Sequence, residues 1–322
     1  MQLSLSIAST KTIFDPSDVE KALVALDTTG GGTDKLKKLY SRMLERGPTR
    51  FISKPTGAQA LSGLRGRCPN FTGVLDDFEK YVELSLCGPG GLNFMPVLLA
   101  GDPGVGKTYF ARSLAEALGV PFSFVSMSTV SAGFTLSGSS SSWSSSKAGK
   151  VAEALVQNEF ANPLFALDEL DKTGGDARYD PFGALLQLLE RDTARKFVDE
   201  YLDIPLDASA ILYVATANRL EVIPDYILSR MAVYEVPAPT AEQSRVIAQN
   251  AYSGVLAENQ WDFDPVLSES VVDLLLEVPP REMKKRIIDA LGSAAQARRR
   301  AVHADDVHRE HTRKNRSIGF VQ

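Results

Sequence analysis

Three groups of residues have the types and spacing to act on a phosphate ester. The first is Gly101-Asp102-Pro103-Gly104-Val105-Gly106-Lys107-Thr108. Glycines at 101, 104 and 106 let successive backbone N–H groups turn inward around an anion, and a helix starting at Lys107 adds the positive end of its dipole. In this pattern Lys107 reaches the β- and γ-phosphates of a nucleotide and Thr108 ligates Mg²⁺. The second group is Asp168-Glu169, at the end of the apolar run that starts at Pro163. This has the form of a metal-holding acid followed by a base. Asp168 would hold Mg²⁺, mostly through water, and Glu169 would orient and deprotonate an attacking water. The third is Asn218, the polar tip of the run from Ala208. It is placed either to hydrogen-bond the attacking water or the γ-phosphate, or simply to end a strand in a turn.

These groups need a scaffold that brings strand ends together. Val97 to Ala100 reads as a buried strand, Lys107 to Leu118 as a helix, and Pro121 to Ser126 as a second strand. Helix resumes over 148–160 and 182–190, with further strands at 163–168 and 208–218. Alternating strands and helices predict a three-layer αβα domain with a parallel sheet, whose loops at the strand carboxyl ends form the active crevice. Pro237-Ala-Pro239 marks a linker, and from Thr240 onward the pattern is helical with no strand, ending in a basic segment with Arg298, Arg299 and Arg300. Before the crevice, helices over Val19–Leu26 and Leu36–Met43 are separated by Gly30-Gly31-Gly32, residues 51–70 read as irregular loop, and Leu75, Phe78, Val82 and Leu86 stripe another helix. The expected organisation is a helical N-terminal extension over 1–65, a nucleotide-binding α/β domain over 66–238, and a helical lid domain with a basic tail over 239–322. The tract 137–146 is nearly all serine, with Trp143 in its middle. Such a tract packs no core, yet an isolated tryptophan inside it suits a functional loop better than an inert linker.

Composition narrows the partners. With 35 basic and 40 acidic residues the formal charge is −5, so no overall basic field favours nucleic acid or an anionic membrane. No apolar run approaches the ~18–20 residues that span a bilayer. The start of the chain carries no signal-like pattern, and two cysteines fit neither a disulfide framework nor a zinc site. A cytoplasmic protein is expected. His303, His308 and His311 read as solvated helix surface rather than metal ligands.

In their order along the chain, these motifs resemble the AAA+ ATPases, and within them the ATPase module of the Lon family, over roughly residues 70–300. The likeness also runs through Asp176-Ala-Arg-Tyr-Asp-Pro181, Phe197-Val-Asp-Glu-Tyr-Leu202, Val214-Ala-Thr-Ala-Asn218, Ile223 to Met231, and Arg281-Glu-Met-Lys-Lys-Arg-Ile287. The resemblance implies ATP and Mg²⁺ as cofactors. It implies that Arg230 is a finger reaching a neighbouring subunit's γ-phosphate, hence a homo-oligomer in a hexameric ring. By the same likeness Arg281 contacts phosphate from the helical domain, Trp143 is an aromatic pore-loop residue gripping polypeptide, and Phe71 to Val74 face adenine. Arginine suits both phosphate roles because its planar fork is always charged.

The family's serine–lysine protease domain would follow the helical domain, whereas this sequence stops at Gln322. The expected function is therefore a non-proteolytic, ring-forming ATPase that remodels or threads a protein client. The alternative is a nucleotide-gated scaffold or regulator of a separately encoded effector, and handling of nucleic acid is the less favoured third reading.

Overall fold

The computed structural model describes residues 6–29, 34–129, 132–140, 146–173, 181–276 and 278–307. The chain divides into two compact units, Met1–Ala238 and Pro239–Gln322.

The first unit opens with strand β1 (Ser6–Thr12), helices α1 (Pro16–Thr29) and α2 (Asp34–Arg46), and strand β2 (Thr49–Lys54). Helices α3 (Gln59–Arg67) and α4 (Thr72–Leu86) lead into β3 (Val97–Ala100), α5 (Lys107–Leu118) and β4 (Phe122–Ser126). Then follow α6 (Ala132–Ser137), α7 (Lys150–Gln157), β5 (Leu164–Asp168), α8 (Pro181–Leu189) and the short α9 (Arg191–Ala194). A short antiparallel pair, β6 (Phe197–Val198) and β7 (Pro205–Leu206), precedes β8 (Leu212–Ala217), α10 (Asp225–Leu228) and β9 (Ala232–Glu235).

Five of these strands form one parallel sheet in the order β4-β5-β8-β3-β9. Its central strands are buried on both faces, so they read as continuous apolar runs rather than alternating ones. The period-2 geometry still sorts their side chains. Leu98, Phe165, Leu167, Tyr213 and Ala215 enter one core with α7 and α8. Val97, Leu99, Leu164, Ala166, Leu212 and Val214 enter another with α3, α4 and α5. The result is the expected three-layer αβα domain.

The amino-terminal region differs from the expected helical extension. β1 and β2 pair antiparallel, with a register shift between Ile7 and Ser9. Ile13, Phe14, Val19, Leu36, Tyr40, Met43 and Ile52 belong to the same core as one face of the main sheet. The Tyr40 hydroxyl donates to Leu202 O, and the buried Arg50 guanidinium donates to the carbonyls of Leu155 and Val156. Residues 51–70 are likewise structured, holding the end of β2, all of α3 and a 3₁₀ turn over Pro69–Phe71. The strands escaped a hydrophobicity pattern because Ser-Ile-Ala-Ser-Thr-Lys-Thr and Thr-Arg-Phe-Ile-Ser-Lys are mostly polar. Their β character rests on branched residues and pairing instead.

The second unit is helical among its described residues, as expected: α11 (Ala241–Asn259), α12 (Glu269–Leu275), α13 (Pro280–Gln296) and α14 (Ala304–Val307). Thr240 caps α11 in a reciprocal box with Gln243. Tyr252, Val271, Met283, Ile287 and Leu291 fill its core. The basic segment is partly neutralised, since Arg299 makes a two-pronged pair with Asp306 and Arg300 pairs with Asp262.

Candidate functional site

The turn between β3 and α5 is built from backbone conformations that side chains resist. Gly104 and Gly106 have φ of +89° and +103°. A Cβ at Gly101 would fall 2.4 Å from the carbonyl oxygen of Val236, so the loop lies directly against the chain leaving β9. These glycines are required by shape, and the shape is a cradle of backbone N–H groups at the start of α5. Val105 is buried in the core beneath, while Asp102 and Pro103 are at the surface. Phe71 stacks on Phe110 with centroids 4.3 Å apart and rings 4° from parallel. It is 2% exposed, so its ring is committed to packing under the loop and not to the adenine-facing place the resemblance implied. Asn70 Nδ2 ties the loop from the side, donating to Val105 O and Pro237 O at 3.2 Å each.

Lys107, the first residue of α5, is 7% exposed. Its ammonium donates to Gly101 O at 2.6 Å, Asp102 O at 2.9 Å and Asn218 Oδ1 at 2.9 Å. Burial pushes its pKa down, opposed by the carboxylates of Asp171, Asp102 and Asp168. A buried cation without an anion bonded to it is costly unless every proton is held, and three oxygens hold this one. Asp171 is itself buried, and its Oδ1 has no hydrogen-bond partner among the described residues.

The strand ends complete the cluster. Asp168, last residue of β5, accepts at one oxygen, Oδ1, from Thr108 Oγ1 at 2.6 Å and from Thr216 Oγ1 at 2.8 Å. Glu169 adopts a left-handed conformation, φ 59° and ψ 50°, uncommon for a residue with a side chain. Its backbone N–H donates to Thr216 Oγ1 at 3.0 Å, and its carboxylate pairs with Lys172. Asn218 follows β8 directly and reaches Lys107. So Lys107, Thr108, Asp168, Glu169 and Asn218 stand together at the carboxyl edge of one parallel sheet, joined by hydrogen bonds and by adjacency along the chain. Thr216 and Asn70 had not been singled out from the sequence. Thr216 had a readable signal, because it lies two residues before Asn218 on the same strand face. Asn70 had none.

Would a magnesium nucleotide fit these residues? The cradle admits no Cβ at Gly101, a buried ammonium sits at its floor, and hard oxygen donors from Thr108 and Asp168 adjoin it. That donor set suits Mg²⁺, which favours a few protein oxygens plus phosphate.

The other expected residues have surroundings of their own. Arg230 follows α10; its Nε is 2.6 Å from Glu190 Oε1 and its Nη1 donates to Tyr226 O. Arg281 is exposed in the first turn of α13, in the second unit. Trp143, Asp176 to Asp180, His308 and His311 fall outside the described residues. Among the described residues no cluster of histidine, cysteine and carboxylate side chains has the makings of a separate metal centre. No described helix is long and apolar enough to cross a membrane.

Comparison with known proteins agrees with this geometry. Residues 97–237 match the family described as "ATPase family associated with various cellular activities (AAA)". "Lon protease homolog 2, peroxisomal" of Oryza sativa subsp. indica is 38% identical over 210 residues, 64% of this chain and 24% of that protein. "Lon protease" of Mycoplasma mycoides subsp. mycoides SC is 34% identical over 195 residues, 60% of this chain and 24% of that one. The chain thus spans about a quarter of the length of these curated relatives. A solved structure of a RuvB variant from Thermotoga maritima aligns over 73% of this chain and 66% of its own with a TM-score of 0.48 and 16% identity, too distant to add to the fold already described. Residues 97–237 thus match the AAA ATPase family, and the chain is similar to about a quarter of the length of the Lon proteases.

Proposed function

We propose that the chain hydrolyses ATP with Mg²⁺ at the carboxyl edge of its five-stranded sheet, and that it does so as a ring-forming AAA+ motor that remodels or threads a protein client. One observation carries the hydrolytic half: a phosphate cradle, a buried lysine, a hydroxyl–carboxylate pair and a second carboxylate are held against one another by hydrogen bonds at a single sheet edge.

The residues divide the work as follows. The backbone N–H groups of the loop from Gly101 to Thr108, Pro103 excepted, would surround the phosphates, and Lys107 would exchange its carbonyl partners for phosphate oxygens. Thr108 and Asp168 would hold Mg²⁺, whose charge would offset the negative charge developing on the transferred phosphoryl group. Asp168 accepts both hydroxyl protons at Oδ1, which fixes its plane before any metal arrives. Glu169 orients water for in-line attack and takes its proton. The left-handed backbone at 169 aims that side chain away from the direction the strand would give it, a strain of the kind concentrated at functional sites. Asn218 holds Lys107 and would hydrogen-bond the γ-phosphate or the attacking water. Catalysis of this kind is mostly positioning and charge stabilisation.

The assembly half rests on the family relationship. Arg230, anchored at the surface by Glu190 and Tyr226, would serve a neighbouring protomer's site. Arg281 would act from the helical unit, and Trp143 would grip the client. The two cysteines, Cys68 and Cys87, are unpaired, which suits a reducing compartment such as the cytoplasm.

ATP turnover of the wild type and of Glu169→Gln tests the hydrolytic half. The expected result is a loss of about 10²-fold or more with nucleotide binding retained. No turnover by the wild type under any assembly condition, or an unchanged rate in the variant, overturns it.

A further inference from the structure

The buried hydroxyl of Thr216, one of the two that donate to Asp168, also accepts from the backbone of Glu169, so it touches both carboxylate residues. It is 2% exposed, in the interior of β8. A threonine hydroxyl has one proton to give and lone pairs to accept with. Here the proton goes to Asp168 Oδ1 at 2.8 Å, and the oxygen accepts the Glu169 N–H at 3.0 Å. Both bonds cross from β8 to the end of β5. The parallel ladder between these strands is registered from Leu164↔Leu212 to Leu167↔Ala215 and ends there. Thr216 is the next residue along, so its side chain takes over where the backbone ladder stops.

That position matters because the chain turns sharply at 169. A left-handed glutamate is unfavourable by itself and persists only when its surroundings fix it. The strand would otherwise continue extended, sending the Glu169 side chain to the opposite side. The N–H of Glu169 is held across the sheet by its hydrogen bond to Thr216.

We propose that Thr216 is a positioning residue for hydrolysis: its single hydroxyl locks the Asp168 carboxylate plane and the Glu169 backbone together, so that the metal-holding oxygen and the water-orienting carboxylate keep a fixed relation. This rests on the reading of the site as an ATPase. It predicts a particular pattern of damage. Valine at 216 keeps the branched shape and the packing of β8 but removes both bonds. Serine keeps the hydroxyl and loses only a methyl group.

The test compares wild type, Thr216→Val and Thr216→Ser for ATP turnover against ATP and Mg²⁺ concentration. Affinity for a fluorescent ATP analogue, with and without Mg²⁺, is measured alongside in a Glu169→Gln background. Expected for Thr216→Val is a kcat lower by about tenfold or more, with KM for ATP within about threefold of wild type. The Mg²⁺ needed for half-maximal rate rises, and Mg²⁺ strengthens analogue binding less. Thr216→Ser restores rate and Mg²⁺ response to within about threefold. Wild-type rate and Mg²⁺ response in Thr216→Val overturn the proposal. So does equal impairment in Thr216→Ser, or a loss of Mg²⁺-free binding matching the loss of rate, because either marks a purely structural role. If the wild type turns over no ATP, the hydrolytic reading falls, while the Mg²⁺ dependence of analogue binding still decides the role of Thr216.

Discussion

The parallel sheet carries cations at both of its edges, and they are treated in opposite ways. At the carboxyl edge Lys107 is buried, and all three ammonium protons are directed at oxygens of the loop and of Asn218. At the amino edge a cavity of about 370 Å³ opens beside the residues that precede the strands, among them Asn93, Asn162 and Ala210, and Arg191 and Arg195 line it. Both residues are exposed overall, although partial burial of the Arg191 guanidinium, and Arg195 beside it, lower its pKa. Arg195 lies 3.5 Å from an almost fully exposed Asp192, and Arg191 makes no ion pair among the described residues. A charge held out of water and aimed by fixed dipoles acts without reorganising, whereas a solvated charge has water as its partner and little energy to lend. The contrast favours the carboxyl edge as the place for the proposed chemistry.

Lys107→Ala should have the largest effect, lowering ATP turnover by about 10²-fold or more and weakening nucleotide affinity, read by the same turnover and analogue-binding assays. Retained affinity would mean that the buried ammonium does not face the phosphates, and the contrast between the edges would collapse.

A second buried charge sharpens it. Asp199 accepts from the N–H groups of Gly149, Tyr201 and Leu202, yet burial outweighs them and pushes its pKa from 3.8 to about 6. A raised carboxyl favours the protonated native state. Its contribution is fully present below about pH 4 and is lost as pH rises through about 6, on the order of 3 kcal/mol. Urea midpoints at pH 4.5 and 7 should therefore fall further with pH in the wild type than in Asp199→Asn. Equal slopes would show that the three N–H donors compensate the burial fully. At the opposite edge, Arg191→Ala should change turnover by less than about twofold and stability by no more than ~0.5 kcal/mol. A larger loss would give the amino edge a role that its solvation argues against.

The comparison also explains what could be read in advance. Gly101, Gly104, Gly106, Lys107 and Thr108 were legible because phosphate binding fixes residue types at fixed spacing on one continuous stretch. Asp168, Glu169 and Asn218 were legible because each ends an apolar strand, and strand ends in a parallel sheet converge. The sheet and its helices followed from apolar runs of strand length alternating with stretches of period 3.6. Pairings that join distant stretches left no such trace. Arg50 holding the carbonyls of Leu155 and Val156, and Asp199 holding Gly149, are set by tertiary approach across 105, 106 and 50 residues of chain. β1 and β2 were missed for a related reason: a polar edge pair gains its stability from its partner and from the core beneath, not from its own pattern. Arg230 and Arg281 came from family likeness alone, and the contacts of Arg230 are to Glu190 and Tyr226 rather than to the network around Lys107.

The amino-terminal strand pair reaches beyond its own place in the core. Phe51 of β2 donates its N–H to Glu159 O and accepts from Ala161 N–H, both at 2.8 Å, forming a parallel bridge to Phe160. Shortly after that bridge β5 begins at Leu164, and it ends at Asp168, next to Glu169. Backbone hydrogen bonds therefore connect β1 through β2 to the segment that leads into β5, whose last residue is Asp168.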